Sequence, residues 1–153
     1  MNIDILPGDL SDPRIIALLR IHLAKAREET PPESVHALDL AGLQAPEITF
    51  WAAWEDGLLL GVGALLELAP DHGEIKSMHT AEAMRGRGVG GVLVRHIIAT
   101  ARARGYSRLS LETGAMDYFQ AARALYRRHG FSQCAPFAGY VLDPNSVFMT
   151  LAL

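Results

Sequence analysis

The chain has 153 residues, half of them hydrophobic and one fifth charged, with a formal net charge of −3. That is enough chain for one sizeable core and a single domain over residues 1–153, and the charge excludes a nucleic-acid partner recruited by overall positive potential. Cys134 stands alone, which excludes an internal disulfide and a cysteine metal framework, while Met1-Asn2-Ile3-Asp4 lacks a secretion signal and Leu58–Leu66 is too short for a membrane span, so a cytoplasmic protein without membrane contact is expected.

Ile3 and Ile5 alternate with polar neighbours and predict a short first strand. Ser11-Asp12-Pro13 is a helix start, and Ile15, Ile16, Leu19 and Leu23 carry that helix to about Glu29, where Pro31-Pro32 breaks it. A second short helix is expected over Glu33 to Leu43. From Ile48 the period changes to two: Ile48, Phe50, Ala52 and Trp54 share one face of a strand. Asp56-Gly57 then predicts a hairpin into a strand over Leu58 to Leu68, and Asp71-His72-Gly73 a second turn into Glu74 to Thr80. A long helix follows from about Gly88 to Arg104, stopped by Gly105. Arg108 to Glu112 reads as a strand, Phe119 to His129 as a helix stopped by Gly130, and Phe131 to Cys134 and Val147 to Leu153 as closing strands. Antiparallel strands, one strand–helix–strand crossover, then helix and strands define an α+β or mixed α/β fold.

The segment Arg85-Gly86-Arg87-Gly88-Val89-Gly90-Gly91 follows a strand and opens the long helix. The first turn of a helix leaves N–H groups unpaired and carries partial positive charge, so it can hold an anion. Glycines let a phosphate approach that backbone, and Arg85 and Arg87 add charged donors, so the segment asks for a diphosphate or similar polyanion. Gly86 to Gly91 also matches G-x-G-x-x-G, with Glu112 further on at a strand end, as in a dinucleotide site. Two features oppose that reading. The loop begins several residues after its strand, and only one crossover unit exists.

At this point the chain resembles the GCN5-related N-acetyltransferases (GNAT). Arg85, Gly88 and Gly90 meet their coenzyme loop Arg/Gln-x-x-Gly-x-Gly/Ala, and Leu125-Tyr126 with Gly130-Phe131 looks like their Leu-Tyr-x-x-x-Gly-Phe signature. The resemblance covers roughly Ile48 to Leu153. It implies a mixed, mainly antiparallel twisted sheet flanked by helices, with the fourth and fifth strands splayed. It also implies an N-acetyltransferase that moves an acetyl group from acetyl-CoA, its cosubstrate, to a primary amine on a small molecule or a protein; dimers are common among members. One position departs: many members carry an asparagine about seven residues before the tyrosine, where this chain has Phe119.

The resemblance assigns Tyr126 as the acid that protonates the departing coenzyme sulfur. For the base, Glu74 is the first candidate and Glu112 the second, each acting through a water. Backbone groups of Met78, His79 and Thr80 are expected beside the pantetheine arm, and Arg85, Gly86, Arg87, Gly88, Val89, Gly90 and Gly91 around the diphosphate. The segments Pro31 to Leu43 and Pro136 to Ser146 are the expected acceptor walls, with His36, Trp51, Glu112 and Tyr140 as contacts. The six histidines are scattered without a metal-binding spacing, so no metal is expected. A non-catalytic acyl-CoA-binding sensor or scaffold is the alternative; it would keep the loop and lose the acid, and Tyr126 argues against it.

Overall fold

The computed structural model describes residues 2–153. The elements are β1 (Asp4–Pro7), α1 (Pro13–Glu29), β2 (Ile48–Glu55), β3 (Leu58–Ala69), β4 (His72–Thr80), α2 (Val89–Ala103), β5 (Arg108–Gly114), α3 (Gln120–Arg128), β6 (Ser132–Gln133) and β7 (Ser146–Ala152). The strands form one sheet in the order β1-β2-β3-β4-β5-β7-β6. Every neighbouring pair is antiparallel except β4 with β5, the two strands that α2 connects. This is the mixed, mainly antiparallel sheet flanked by helices that the sequence predicts.

Alternation along β2 divides the core. Phe50 and Ala52 belong to the core cluster of Ile15, Leu18 and Leu19 of α1, whereas Trp51 on the other face belongs to the cluster that holds Val94, Ile97 and Ile98 of α2 and Tyr126 of α3. Helix α1 therefore covers one face of the sheet, and α2 and α3 cover the other. The α1 start is as expected: Asp12 caps it, its carboxylate accepting from the Arg14 amide at 2.9 Å, with Pro13 in the first turn. Its buried stripe is turned from the expected one, because Leu18 is buried in place of Ile16 and Leu23.

The helix expected over Glu33 to Leu43 does not form. Two single 3₁₀ turns, Pro32–Ser34 and Gly42–Gln44, bracket an irregular stretch. Asp39 ends that stretch by accepting from the Gly42 amide at 2.8 Å, a local side-chain bond that competes with helix. The second turn lies at Pro70-Asp71, so His72 and Gly73 belong to β4. Strand β6 is only two residues long, although the Cys134 amide still donates to the Phe148 carbonyl at 2.8 Å.

Leu93 is fully buried between α2 and β3. Leu93→Ala is expected to cost about 2–5 kcal/mol in urea denaturation with an unchanged slope. Ile21→Ala, at a half-exposed position, should stay within about 0.5 kcal/mol.

Candidate active site

The parallel pairing of β4 with β5 runs from His72/Arg108 to Ile75/Leu111 and stops there, although β4 continues to Thr80 and β5 to Gly114. Past that point the facing edges of the two strands diverge, as expected, and the backbone groups along that edge of β4 have no sheet partner. A bulge sits at the same place. Val62 pairs with His79 and Ala64 with Lys76, so Ser77 and Met78 together oppose Gly63, and Ser77 takes a φ of 54°.

The opening is a window through the sheet. Six residues from both faces line its middle: His22 and Ala26 of α1, Met78 of β4, then Phe119, Ala122 and Tyr126 at α3. On one side lies a cavity of about 540 Å³, reaching from this window to the start of α2. On the other lies a smaller one of about 120 Å³, walled by Thr30, residues 34–37, β4 and β5.

The larger cavity contains His79, Thr80, Arg85, Gly86, Gly88, Val89, Gly90 and Gly91, with Arg95, Arg128 and His129 at its flank. A single 3₁₀ turn, Glu82–Met84, separates β4 from this loop, so the immediate strand-to-helix turn of a dinucleotide fingerprint is absent. Gly86 and Gly88 have φ of 77° and 83°, a region that side chains disfavour. No side chain caps the N-terminus of α2, so its first amides face the cavity without an internal acceptor. Gly90 packs closely for another reason: a Cβ there would meet the end of the Leu125 side chain at 2.9 Å, so that side chain would have to shift. Arg87 does not line the cavity. Its guanidinium turns to Glu55 at 3.4 Å and to the Met84 sulfur at 3.0 Å.

Tyr126 is buried on α3 and opens on both cavities. Burial, then the nearby charge of Glu112, raises its hydroxyl well above the ordinary 10 and keeps it protonated. Glu112 of β5 lines the smaller cavity, and burial pushes its carboxyl up to about 6. Glu74 is 2% exposed and lines neither cavity. Its carboxylate accepts from the Tyr140 hydroxyl at 2.5 Å and from Lys76 at 3.4 Å, while Lys76 also donates to the Tyr140 oxygen at 3.0 Å and the His36 carbonyl at 3.2 Å. Glu74 is thus not the open group expected of the first candidate base.

Of the expected acceptor contacts, His36 and Glu112 line the smaller cavity. Tyr140 lies behind it, against Glu74, its ring 4.9 Å from that of His36. Trp51 is apart from it, in the core beneath α2, with its ring 5.0 Å from His96. The late loop is tied to the early one through Asp143, which accepts from the Ser34 hydroxyl at 2.5 Å, but it contributes no residue to the cavity lining. Phe119 packs its ring over Gly114 and offers no polar group. Arg123 ties the neighbouring backbone instead, donating to the carbonyls of Gly114 at 2.6 Å and Met116 at 3.0 Å.

Sequence reasoning missed Lys76 and His22, and it expected His79 through its backbone, without the contact of its ring with His22. The available signal for His22 was its register: Ile15, Leu18, Leu19, His22 and Ala26 fall on one inward stripe of α1. Among the described residues no group of three or more His, Cys, Asp or Glu is placed to hold a metal, and no helix is long and apolar enough to cross a membrane.

A sequence model of the Acetyltransferase (GNAT) family matches residues 15–131. The chain belongs to the GNAT acetyltransferase family. Among its GNAT relatives, the uncharacterized N-acetyltransferase YsnE of Bacillus subtilis is 52% identical over 95% of this chain and 96% of that one. The uncharacterized N-acetyltransferase YedL of Escherichia coli is 48% identical over 95% and 91%. A Klebsiella pneumoniae structure assigned as an acyl-CoA N-acyltransferase is 32% identical, with a TM-score of 0.82 over 99% of this chain and 97% of the other. A GNAT acetyltransferase from Elizabethkingia anophelis with acetyl-CoA bound shares the fold at 20% identity and a TM-score of 0.74, over 99% of both chains. The protein is therefore an acyltransferase enzyme of the GNAT class.

The position of Glu112 sets a pH dependence with a definite sign. Its folded value of about 6 lies above the ordinary 4.5, so folding favours the protonated form. That contribution is fully present below 4.5 and is lost as pH rises through 6. Glu112→Gln is expected to stabilise the protein by up to about 2 kcal/mol near pH 8, with the gain vanishing near pH 4, in urea denaturation across that range.

Proposed function

We propose that this GNAT enzyme transfers the acetyl group of acetyl-CoA to a primary amine held in the smaller cavity. The observation that carries this reading is the window itself: a buried tyrosine hydroxyl sits where the cavity at the start of α2 meets the smaller one, and a raised carboxyl lines the smaller one. The residues present suit the coenzyme. Uncapped amides of α2, the positive-φ glycines and Arg85 would hold the diphosphate, and the unpaired edge of β4 at Met78, His79 and Thr80 would pair with the amides of the pantetheine arm.

Glu112 attracts the acceptor's ammonium and takes one proton from it, which exposes the nitrogen lone pair. It replaces Glu74 as the leading base, because Glu74 is committed to Tyr140 and Lys76. The amine then attacks the thioester carbonyl, and the unpaired β4 backbone stabilises the charge on its oxygen. Tyr126 donates its proton to the sulfur as the carbon–sulfur bond breaks. Burial suits that role: a hydroxyl that never ionises at rest is always ready to donate. Lys76, neutralised by Glu74, leaves Glu112 as the open anionic group of the smaller cavity, which favours a cationic acceptor.

A panel of spermidine, tyramine, L-lysine and glucosamine with acetyl-CoA, followed by free thiol release, tests the reading. Tyr126→Phe keeps the ring against Phe131 and removes the hydroxyl. Turnover should fall by about 10²–10⁴-fold with CoA affinity little changed. Near-normal turnover with only a small stability loss, about 0.5–1.5 kcal/mol, would reduce Tyr126 to a packing residue.

A further inference from the structure

A contact between two imidazoles sits where the cavities meet, and the acid–base scheme above does not use it. His22 on α1 and His79 on β4 bring Nδ1 to Nδ1 at 3.1 Å, with ring centroids 5.0 Å apart and planes at 69°. Two facing ring nitrogens at that distance share one proton, so one ring donates from Nδ1 and the other accepts there. The ring that donates has a bare Nε2. His22 lines both cavities, whereas His79 lines only the larger one. With His79 accepting, the bare Nε2 belongs to His22, the ring that belongs to both cavities.

The surroundings keep this pair uncharged. Burial alone lowers His22 to about 4. Burial, then His22, then Arg85 lower His79 to about 4. Among the described residues no carboxylate is bonded to either ring to hold a resting imidazolium. The groups around the shared window are Tyr126 from α3, Glu112 and Lys76 facing the smaller cavity, and Arg85 facing the larger one. An uncharged pair does not repel an incoming ammonium and keeps a lone pair free throughout substrate binding.

The reaction has a proton that lacks a receiver. An acceptor R–NH₃⁺ loses two N–H protons on becoming the N-acetyl product: one appears on the coenzyme sulfur, the other is released to solvent. Glu112 takes the first, before attack. The second leaves the nitrogen only after the carbon–nitrogen bond has formed, when that nitrogen is positively charged and acidic enough for a weak base. Tyr126 has then to give its own proton to sulfur and be restored. We propose that His22 is a catalytic residue that receives this second proton at Nε2 and returns it to Tyr126, with His79 as the positioning residue that fixes the tautomer of His22. The carbon–nitrogen bond forms and the carbon–sulfur bond breaks with its electron pair going to sulfur. Sulfur gains the Tyr126 proton, the tyrosine oxygen regains the one carried by His22, and the Glu112 proton leaves as the net product. Helix α1 thereby supplies a reacting group to a site otherwise built from β4, β5 and α3.

This inference rests on the acetyl-transfer reading, and the test separates the two. The acceptor is whichever amine of the spermidine, tyramine, L-lysine and glucosamine panel turns over fastest, with acetyl-CoA as donor. His22→Asn places a polar atom near the former Nδ1, so the bond to His79 persists, but it has no counterpart of Nε2. The expected result is a fall in kcat of about 10²-fold with the Kd for CoA unchanged, and partial rescue of His22→Ala by added imidazole. His79→Phe, which cannot accept at Nδ1, should lower kcat without raising the KM for the amine. A kcat within about threefold of wild type in His22→Asn would overturn the proposal while leaving acetyl transfer intact. Loss of CoA binding in that variant, with no imidazole rescue, would also overturn it, by assigning His22 to structure. Absence of turnover by the wild-type protein across the panel would overturn the acetyl-transfer reading and this role together.

Discussion

The structure depends on one interruption: β4 and β5 stop pairing after Ile75 and Leu111 although both strands continue. A parallel pair joined by a helix is the natural place for it, because α2 connects the two strands and its N-terminus lies beside the place where they part. The bulge at Ser77 and Met78 re-aims β4 there, and the Phe119 ring lies against Gly114 at the end of β5. Unpaired backbone inside a fold is costly unless something bonds to it. A strand edge left open inside the fold therefore calls for a hydrogen-bonding partner, a role that the proposed reading gives to the pantetheine arm.

Charge is distributed unequally around that window. Glu74, Lys76 and Tyr140 form a linked set: Glu74 Oε2 accepts from both Tyr140 and Lys76, Lys76 also donates to the Tyr140 oxygen, and the carboxylate is nearly inaccessible. Such a set fixes shape: it holds the irregular 35–41 segment through the His36 carbonyl and the late loop through Tyr140. Glu112, one strand away, lies open to the smaller cavity, and burial raises it. Two carboxylates on adjacent strands thus divide into one bonded within the wall and one open to the smaller cavity.

Much of this was legible because it depends on backbone and period. The α2 loop was readable from its glycines, and Gly86 and Gly88 take the positive φ that only glycine accepts readily. Alternation in β2 separated Phe50 and Ala52 from Trp51, and the Asp56-Gly57 hairpin fell where expected. What failed was whatever depends on long-range partners. Arg87 is as suited to phosphate as Arg85, but Glu55, distant in sequence, takes it. Glu74 read as the first candidate for the base because nothing local announces Tyr140, 66 positions away. The helix over Glu33 to Leu43 was overestimated, since Asp39 satisfies the Gly42 amide locally. His22 was overlooked for the same reason as Glu74: its partner His79 lies 57 residues on, and only the fold joins them.

The central claim is that the uncapped start of α2 and the unpaired edge of β4 together form the acyl-CoA site. Amide resonances of the folded protein, recorded during titration with acetyl-CoA, test it most directly. The account predicts saturable shifts concentrated at Gly86 to Gly91 and at Met78 to Thr80, with the Ser34 and Asp143 region little affected. Saturation by NAD in place of acetyl-CoA, or shifts that leave the α2 amides unmoved, would contradict it.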